Sequence, residues 1–349
     1  MTTREVVGRA ALVVGSSLVA VGLAEVVLRV LAPAGASPQE YVAFRKSSVP
    51  GLDYEFVPGA RLPWAGREIR VNRQGFRGPE FSLQPTAHPR IAVIGDSIAA
   101  GYGVAEEEAF PYRASSLLRE KGLPGEVLDF GVPGYNLDHI IALWTARVAP
   151  YRPDLVLYAM CLNDARPELS LTREGILAAA ATIELSPERA QPGRIPLPGK
   201  SWLREHSLFY QFMMARYDLV LRRLHLRAEP LPPLEAVERL YVGSPEGERF
   251  QIGLAHLIRS VRDNGAEFVL VCFPMAEQLR ARRAAPQAAL RGFAASLEVP
   301  FVDLYPAFVA AAGDGEAVLD EDGLHPTRLG HHIAAREVVG ALHRANALH

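Results

Sequence analysis

Two short segments of the sequence hold the residue types that nucleophilic attack on a carbonyl group requires. Ser97 comes directly after Gly95-Asp96 at the end of an apolar run, and Asp322-Gly323-Leu324-His325-Pro326 lies near the C-terminus. A carboxylate three residues before a histidine can accept the imidazole Nδ1–H, which leaves Nε2 to take a proton from a serine. Ser97, His325 and Asp322 are therefore a candidate nucleophile, base and orienting acid.

Two further segments could stabilise the negative charge that develops on a carbonyl oxygen. A glycine in Gly131-Val132-Pro133-Gly134-Tyr135-Asn136 can turn its backbone N–H toward the serine, because it has no Cβ. In Cys161-Leu162-Asn163-Asp164, the Asn163 side-chain amide can donate a hydrogen bond to an oxyanion. Each segment alone has a plainer interpretation, as an ordinary turn or as a helix cap. Four such segments in this order are more informative together.

Strands and helices must hold these four segments in position, and the sequence indicates them by a regular alternation of apolar runs and helical patterns. Five runs rich in Val, Ile, Leu and Phe suit strands buried on both faces: Arg90–Gly95, Val127–Phe130, Leu155–Met160, Phe268–Phe273 and Pro300–Leu304. Helical patterns alternate with them: Glu107–Lys121, Leu137–Ala149, Gly247–Asp263, Arg283–Leu297 and Thr327–Ala345. This alternation predicts an α/β fold with a parallel sheet covered by helices on both sides.

The four segments together resemble those of the SGNH hydrolases, also called GDSL esterases and lipases. The resemblance implies that Ser97 is the nucleophile and that Asp322 and His325 complete a catalytic triad. It also implies an oxyanion hole formed by the Ser97 N–H, the Gly134 N–H and the Asn163 side chain.

The same resemblance implies a flavodoxin-like three-layer sandwich around a five-stranded parallel sheet. It covers residues 90–345 apart from a long insertion, so the hydrolase domain is expected over 90–349 with a helical insertion at 165–249. Within the insertion, Leu203–Leu226 is expected to be helical. Cys161 stands where the family usually has glycine, and we expect its bulk to narrow the acyl pocket.

The N-terminal residues 1–32 have the pattern of a membrane anchor. The apolar run from Ala10 to Leu31 contains only two charged residues, and Arg4 and Arg9 precede it. A helix of that length would reach roughly 33 Å, against a hydrocarbon core of about 30 Å. The preceding arginines favour a cytoplasmic N-terminus. We therefore expect a single-pass transmembrane helix with the catalytic domain in the periplasm or outside the cell; secretion after signal-peptide cleavage is the alternative.

Residues 33–89 are rich in proline and predict a tether followed by a small irregular subregion. A hairpin is expected around Ile69-Arg70-Val71. The segment from Val71 to Gly78 also looks like one found in membrane-anchored bacterial members of the family. No role follows from that likeness.

Three other patterns have weaker functional interpretations. Gly95-Asp96-Ser97-Ile98-Ala99 comes within one residue of the nucleophile elbow of α/β-hydrolases, but several strands normally precede that elbow. Cys161 and Cys272 end neighbouring predicted strands and are expected to be buried free thiols. His331-His332 suggest a metal site, yet adjacent residues on a helix point about 100° apart, which favours a packing or solvated role.

The leading hypothesis is a serine hydrolase that cleaves carboxylic esters with short acyl groups such as acetyl. Two alternatives stay open: an O-acyltransferase acting on envelope polysaccharide, and a non-catalytic envelope assembly protein on the same fold. No metal or organic cofactor is required, and the expected partners are a small-molecule or polysaccharide ester and the membrane. With 37 basic and 39 acidic residues the net charge is −2, which argues against nucleic-acid binding. The oligomeric state is left open.

Overall fold

The computed structural model describes most of the chain in two compact units. Described are residues 3–31, 44–64, 67–123, 125–165, 169–171, 177–179, 203, 207, 209, 210, 213, 234–320 and 322–344. The smaller unit comprises residues 1–42 and 186–231. The larger unit, residues 43–185 and 232–349, contains every residue of the predicted catalytic group.

A five-stranded parallel sheet forms the centre of the larger unit. In chain order its strands are β1 (Arg90–Gly95), β2 (Glu126–Asp129), β3 (Leu155–Cys161), β4 (Glu267–Phe273) and β5 (Phe301–Asp303). Across the sheet they run β5-β4-β3-β1-β2, and every pair is parallel. All residues of β1 and β3 are buried. This is the strand order of flavodoxin-like sheets, whose ligand crevice opens between β1 and β3.

The five strands lie where the sequence predicts them, and β1 has the predicted ends. The ends of the other four strands differ from the prediction by at most one residue, because pairing with a neighbour decides where a strand stops. β2 pairs with β1 only from Arg90↔Glu126 to Val93↔Asp129. Phe130 therefore lies just beyond the paired part of β2.

Helices pack around this sheet. Those described in the larger unit are α1 (Phe110–Glu120), α2 (Leu137–Leu143), α3 (Leu234–Arg239), α4 (Pro245–Asp263), α5 (Ala276–Ala281), α6 (Ala285–Ser296), α7 (Tyr305–Gly313) and α8 (Arg328–Arg344). α1 packs against α8, and α2 packs against α4. The sequence predicts α1, α2, α4, α6 and α8 and misses α3, α5 and α7.

The second predicted helix is shorter than expected. α2 begins after Asn136, whose side-chain oxygen accepts a hydrogen bond from the His139 N–H at 3.1 Å. After Leu143 the chain continues in a wider turn and then a tighter one up to Tyr151. Pro150 has no N–H to continue an α-helix, which accounts for the change.

Outside the parallel sheet, the described residues include three pairs of short antiparallel strands. Arg61–Trp64 pairs with Arg67–Arg70, which confirms the hairpin predicted around Ile69. Phe44–Lys46 pairs with Tyr54–Phe56. At the start of the predicted insertion, Leu169–Leu171 pairs with Leu177–Ala179.

The N-terminal segment is a helix, Thr3–Leu31, but its predicted membrane span is not supported. Among the described residues, no helix has both the length and the apolar character needed to cross a membrane.

Within the smaller unit, Glu25 has polar partners from the insertion. Its carboxylate accepts hydrogen bonds from Ser207 Oγ and the Phe209 N–H, both at 2.9 Å. The helix predicted over Leu203–Leu226 otherwise lies almost wholly outside the described residues.

α8 carries a histidine that is completely buried. His331 Nδ1 accepts a hydrogen bond from the Phe110 N–H at the start of α1, at 3.2 Å. Burial, together with the positive charges of Arg77 and His325, lowers the pKa of His331 to about 3. This histidine therefore packs between two helices as a neutral group, one of the two roles that the sequence favours.

We expect His331→Gln to make the stability of the protein less sensitive to acid. The pKa of His331 is about 3 in the folded protein and about 6.5 in an unfolded chain. The stability linked to this depressed pKa is present above about pH 6.5 and is lost as the pH falls toward 3, because the unfolded chain then binds the extra proton. Between about pH 7 and about pH 5 the wild type should lose about 2 kcal/mol more than the variant in urea unfolding.

His343→Gln, an exposed change on the same helix, is the matched control and should follow the wild type. If the free energy of unfolding falls by the same amount in His331→Gln and in the wild type as the pH is lowered, His331 is not a buried neutral group with a depressed pKa.

Candidate active site

Ser97 lies at the carboxyl end of β1, on a turn that leads away from the sheet. Asp96 closes this turn, because its Oδ1 accepts a hydrogen bond from the Ile98 N–H at 2.8 Å. Gly95 has no room for a side chain, since an added Cβ would lie 2.7 Å from the Ala159 carbonyl on β3. Only 8% of the Ser97 surface is exposed, so the position of its hydroxyl is well defined.

His325 and Asp322 lie on the loop between α7 and α8. Asp322 Oδ1 accepts hydrogen bonds from the N–H groups of Leu324 and His325 at 2.9 and 3.0 Å. Asp322 Oδ2 lies 2.5 Å from His325 Nδ1. Burial raises the pKa of Asp322, but the hydrogen bond and charge of His325 outweigh burial and lower the pKa to about 2. Asp322 is therefore ionised at neutral pH and holds the Nδ1–H of the imidazole.

One hydrogen bond connects this loop to the end of β1. Ser97 Oγ lies 2.7 Å from His325 Nε2. With Nδ1–H directed at Asp322, Nε2 has the lone pair that accepts the serine proton. The structure thus brings Ser97, His325 and Asp322 together as the sequence groups them, in an arrangement that can activate a serine for attack on a carbonyl carbon.

Asn163 follows β3, and its side chain is buried and lowers the pKa of the Asp96 carboxyl, against the larger effect of burial. Asn163 Oδ1 has no hydrogen-bond partner among the described residues. The amide nitrogen carries two N–H groups, which can donate to a substrate oxygen. The Tyr241 hydroxyl donates to the Leu162 carbonyl at 2.8 Å and fixes the turn that carries Asn163.

The loop after β2 contains both glycines that the sequence suggests as oxyanion donors. Gly134 sits at the corner of a turn closed by the Tyr135 N–H and the Val132 carbonyl at 3.2 Å. Its φ of +73° favours glycine. Gly131 is needed for a different reason, because an added Cβ would lie 2.3 Å from the backbone nitrogen of Ala100. This loop therefore lies directly against the turn that follows the serine.

Asp96 and Tyr102 belong to this site, and the sequence gives neither a role. Burial raises the pKa of Asp96, opposed by the Ile98 N–H, the charge of His325 and the Asn163 side chain. The Tyr102 ring packs against the His325 imidazole, with ring centroids 4.2 Å apart and planes inclined at 35°. Asp96 could have been suspected from its place beside Ser97, whereas no pattern marks Tyr102.

Cys161 and Cys272 are buried thiols that form no disulfide, as predicted. They end the adjacent strands β3 and β4, where Cys161 pairs with Phe273 and Cys272 with Met160. Burial raises the pKa of Cys272 well above its ordinary value. Cys161 lies two residues before Asn163 and is completely buried.

Comparison with known proteins places these residues in a wider context. A family model described as GDSL-like Lipase/Acylhydrolase matches residues 93–333, which include every predicted site residue. No curated protein matches the sequence.

Several solved structures are similar to this chain. TesA has 17% identity over 72% of this chain and 97% of its own, with a TM-score of 0.44. The lipase/acylhydrolase from Enterococcus faecalis has 16% identity over 73% of this chain and 96% of its own, with a TM-score of 0.42. A catalytic mutant of Axe2, an acetylxylan esterase from Geobacillus stearothermophilus, has 19% identity over 73% of this chain and 94% of its own, with a TM-score of 0.43.

Proposed function

The chain belongs to the GDSL-like lipase/acylhydrolase family, and on this premise we propose that it cleaves carboxylic esters through a covalent intermediate on Ser97. His325 acts as general base and acid, and Asp322 orients the imidazole. The Ser97 N–H, the Gly134 N–H and the Asn163 side chain form the oxyanion hole. No metal or organic cofactor takes part in this scheme.

The observation that carries this proposal is the continuous hydrogen-bonded chain from Asp322 through His325 to Ser97. Its two links measure 2.5 and 2.7 Å, within the reach that proton transfer requires. The ionised state of Asp322 supports the proposal further, because a carboxylate stabilises the imidazolium that forms when His325 takes the proton.

In the first half-reaction, Ser97 Oγ attacks the ester carbonyl carbon while its proton moves to His325 Nε2. The oxyanion of the tetrahedral intermediate is stabilised by the three N–H donors, because donors held in advance by the fold need no reorganisation as the charge develops. The intermediate collapses, the C–O bond to the alcohol breaks, and the imidazolium gives its proton to the leaving oxygen.

In the second half-reaction, water attacks the acyl-enzyme. His325 takes a proton from that water and returns it to Ser97 as the carboxylic acid leaves.

Removal of either partner in the serine–histidine pair should abolish nearly all esterase turnover. We expect Ser97→Ala and His325→Ala each to lose it, and the double variant to be little worse, because residues that act as one unit are far from additive. Asn163→Ala should lower kcat by about 10²–10³, the usual loss for one oxyanion donor, with a smaller change in KM. Steady-state hydrolysis of p-nitrophenyl acetate measures these changes.

Ser296→Ala and His343→Ala, two exposed positions outside the site, are the matched controls and should keep wild-type rates. A Ser97→Ala variant that retains more than about a tenth of wild-type activity would exclude Ser97 as the nucleophile.

The preferred acyl group is proposed to be short. Cys161 supports this, because the family usually has glycine, which has no side chain, at this position two residues before Asn163. In a p-nitrophenyl ester series from acetyl to dodecanoyl, kcat/KM should be highest for the shortest chains. Cys161→Gly should shift the preference toward longer chains, whereas Cys272→Ala, at the end of the next strand, should not. A wild-type kcat/KM that rises steadily to dodecanoyl would refute this preference.

The larger unit is further proposed to work outside the cytoplasm. Arg4 and Arg9 precede the uncharged stretch that starts at Ala10, as in segments that direct export, and side chains such as Leu12, Leu23 and Val30 on the same helix are exposed. Protease added to intact spheroplasts should digest the larger unit. Full protection in intact spheroplasts, with digestion only after their lysis, would contradict an external location.

A further inference from the structure

A buried arginine from the segment Asn72–Gly78 binds the turn that follows the serine. Arg77 is only 2% exposed. Its Nη1 donates hydrogen bonds to the carbonyls of Ala100 and Gly101 at 2.8 and 2.5 Å, and its Nη2 donates to the Val104 carbonyl at 2.8 Å. One guanidinium therefore holds three backbone carbonyls within five residues. Arg77 lies before residue 93, where the family match begins, so the family assignment does not explain it.

The segment that carries Arg77 is built to present it. Asn72 Oδ1 accepts a hydrogen bond from the Phe76 N–H at 2.9 Å, which closes the turn before Arg77. The Tyr112 hydroxyl on α1 donates to the Arg77 carbonyl at 2.8 Å. Gly78 has a φ of +104°, and an added Cβ would lie 1.9 Å from that hydroxyl. The backbone is thus held on both sides of Arg77, by the turn before it and by the contact with α1 after it.

The turn that Arg77 holds connects the nucleophile to the imidazole. The Tyr102 N–H donates to the Ser97 carbonyl at 2.9 Å, so the two residues share one backbone loop. Tyr102 directly follows Gly101, whose carbonyl Arg77 binds, and its ring packs against His325. The position of the guanidinium therefore affects both partners of the Ser97–His325 hydrogen bond.

We propose that Arg77 is a positioning residue of the active site: it holds the turn after Ser97 so that Tyr102 keeps the His325 imidazole in line with Ser97 Oγ. This inference rests on the proposed esterase function. Guanidinium suits the role because its planar fork directs several N–H groups to fixed acceptors, whereas an ammonium group is a single point of charge. Arg77→Lys should therefore loosen the turn without removing the charge.

The chain offers a matched control in a second buried arginine. Arg90 is completely buried at the first residue of β1, at the end of that strand away from Ser97. Its guanidinium also donates to backbone carbonyls, those of Ser82, Leu83, Gln84 and Tyr151. Arg90→Lys should lower stability without displacing the catalytic group, so it separates a structural effect from a positional one.

The test compares Arg77→Lys with Arg90→Lys in the full chain, by kcat and KM for p-nitrophenyl acetate and by the labelling rate of Ser97 with a fluorophosphonate. We expect Arg77→Lys to lower kcat and the labelling rate together by about tenfold or more, because small displacements of reacting groups have large effects on rate. KM should change little. Arg90→Lys should reduce the denaturation midpoint while the folded enzyme keeps a kcat close to wild type.

Tyr102 gives an independent test that does not depend on how well Arg77→Lys folds. Tyr102→Ala should lower kcat about as much as Arg77→Lys, and Tyr102→Phe, which keeps the ring, should recover most of that loss. If Arg77 acts through Tyr102, the double variant Arg77→Lys/Tyr102→Ala should be no slower than Tyr102→Ala within about twofold.

Wild-type kcat in a folded Arg77→Lys variant or in Tyr102→Ala would overturn the positioning role, as would losses that multiply in the double variant. A wild-type protein that neither hydrolyses esters nor labels at Ser97 would instead overturn the proposed function, so the two failures are distinguishable.

Discussion

The hydrogen bond between Ser97 Oγ and His325 Nε2 joins residues that are 228 positions apart in the chain. Proton transfer across this contact needs the two groups held within roughly 0.5 Å of the productive geometry. Ser97 meets that requirement because β1 lies between β3 and β2 with all its residues buried. His325 meets it because Asp322 accepts both its backbone N–H and its Nδ1–H.

The carboxyl edge of the sheet gathers polar groups that support this contact, and most of them are buried. Asp96 connects the end of β1 to Asn163 at the end of β3, and Arg77 binds the turn that leaves β1. A buried polar group is costly unless it is hydrogen-bonded. Only a few arrangements of these side chains satisfy their hydrogen bonds. The site is therefore rigid before a substrate binds.

The parts of this protein that the sequence predicts are those governed by local pattern. β1 is recognisable because a strand buried on both faces is a continuous apolar run, and the Asp322–His325 pair is recognisable because a spacing of three lets a carboxylate reach Nδ1. Arg77 and Tyr102 could not be predicted, since their partners are backbone carbonyls and an imidazole that only the tertiary fold brings near. α7 was missed because its alanine-rich run lacks a helical period, although Pro306 marks its first turn.

If Ser97 is the nucleophile of an ester hydrolase, a reagent that traps active serines covalently must become attached to its Oγ. The purified protein is incubated with a fluorophosphonate, its intact mass is measured, and the modified peptide is sequenced by mass spectrometry. We expect one adduct per chain, located on Ser97 and lost in Ser97→Ala and in His325→Ala. An adduct on another residue, or no adduct on a protein that still hydrolyses p-nitrophenyl acetate, would contradict it.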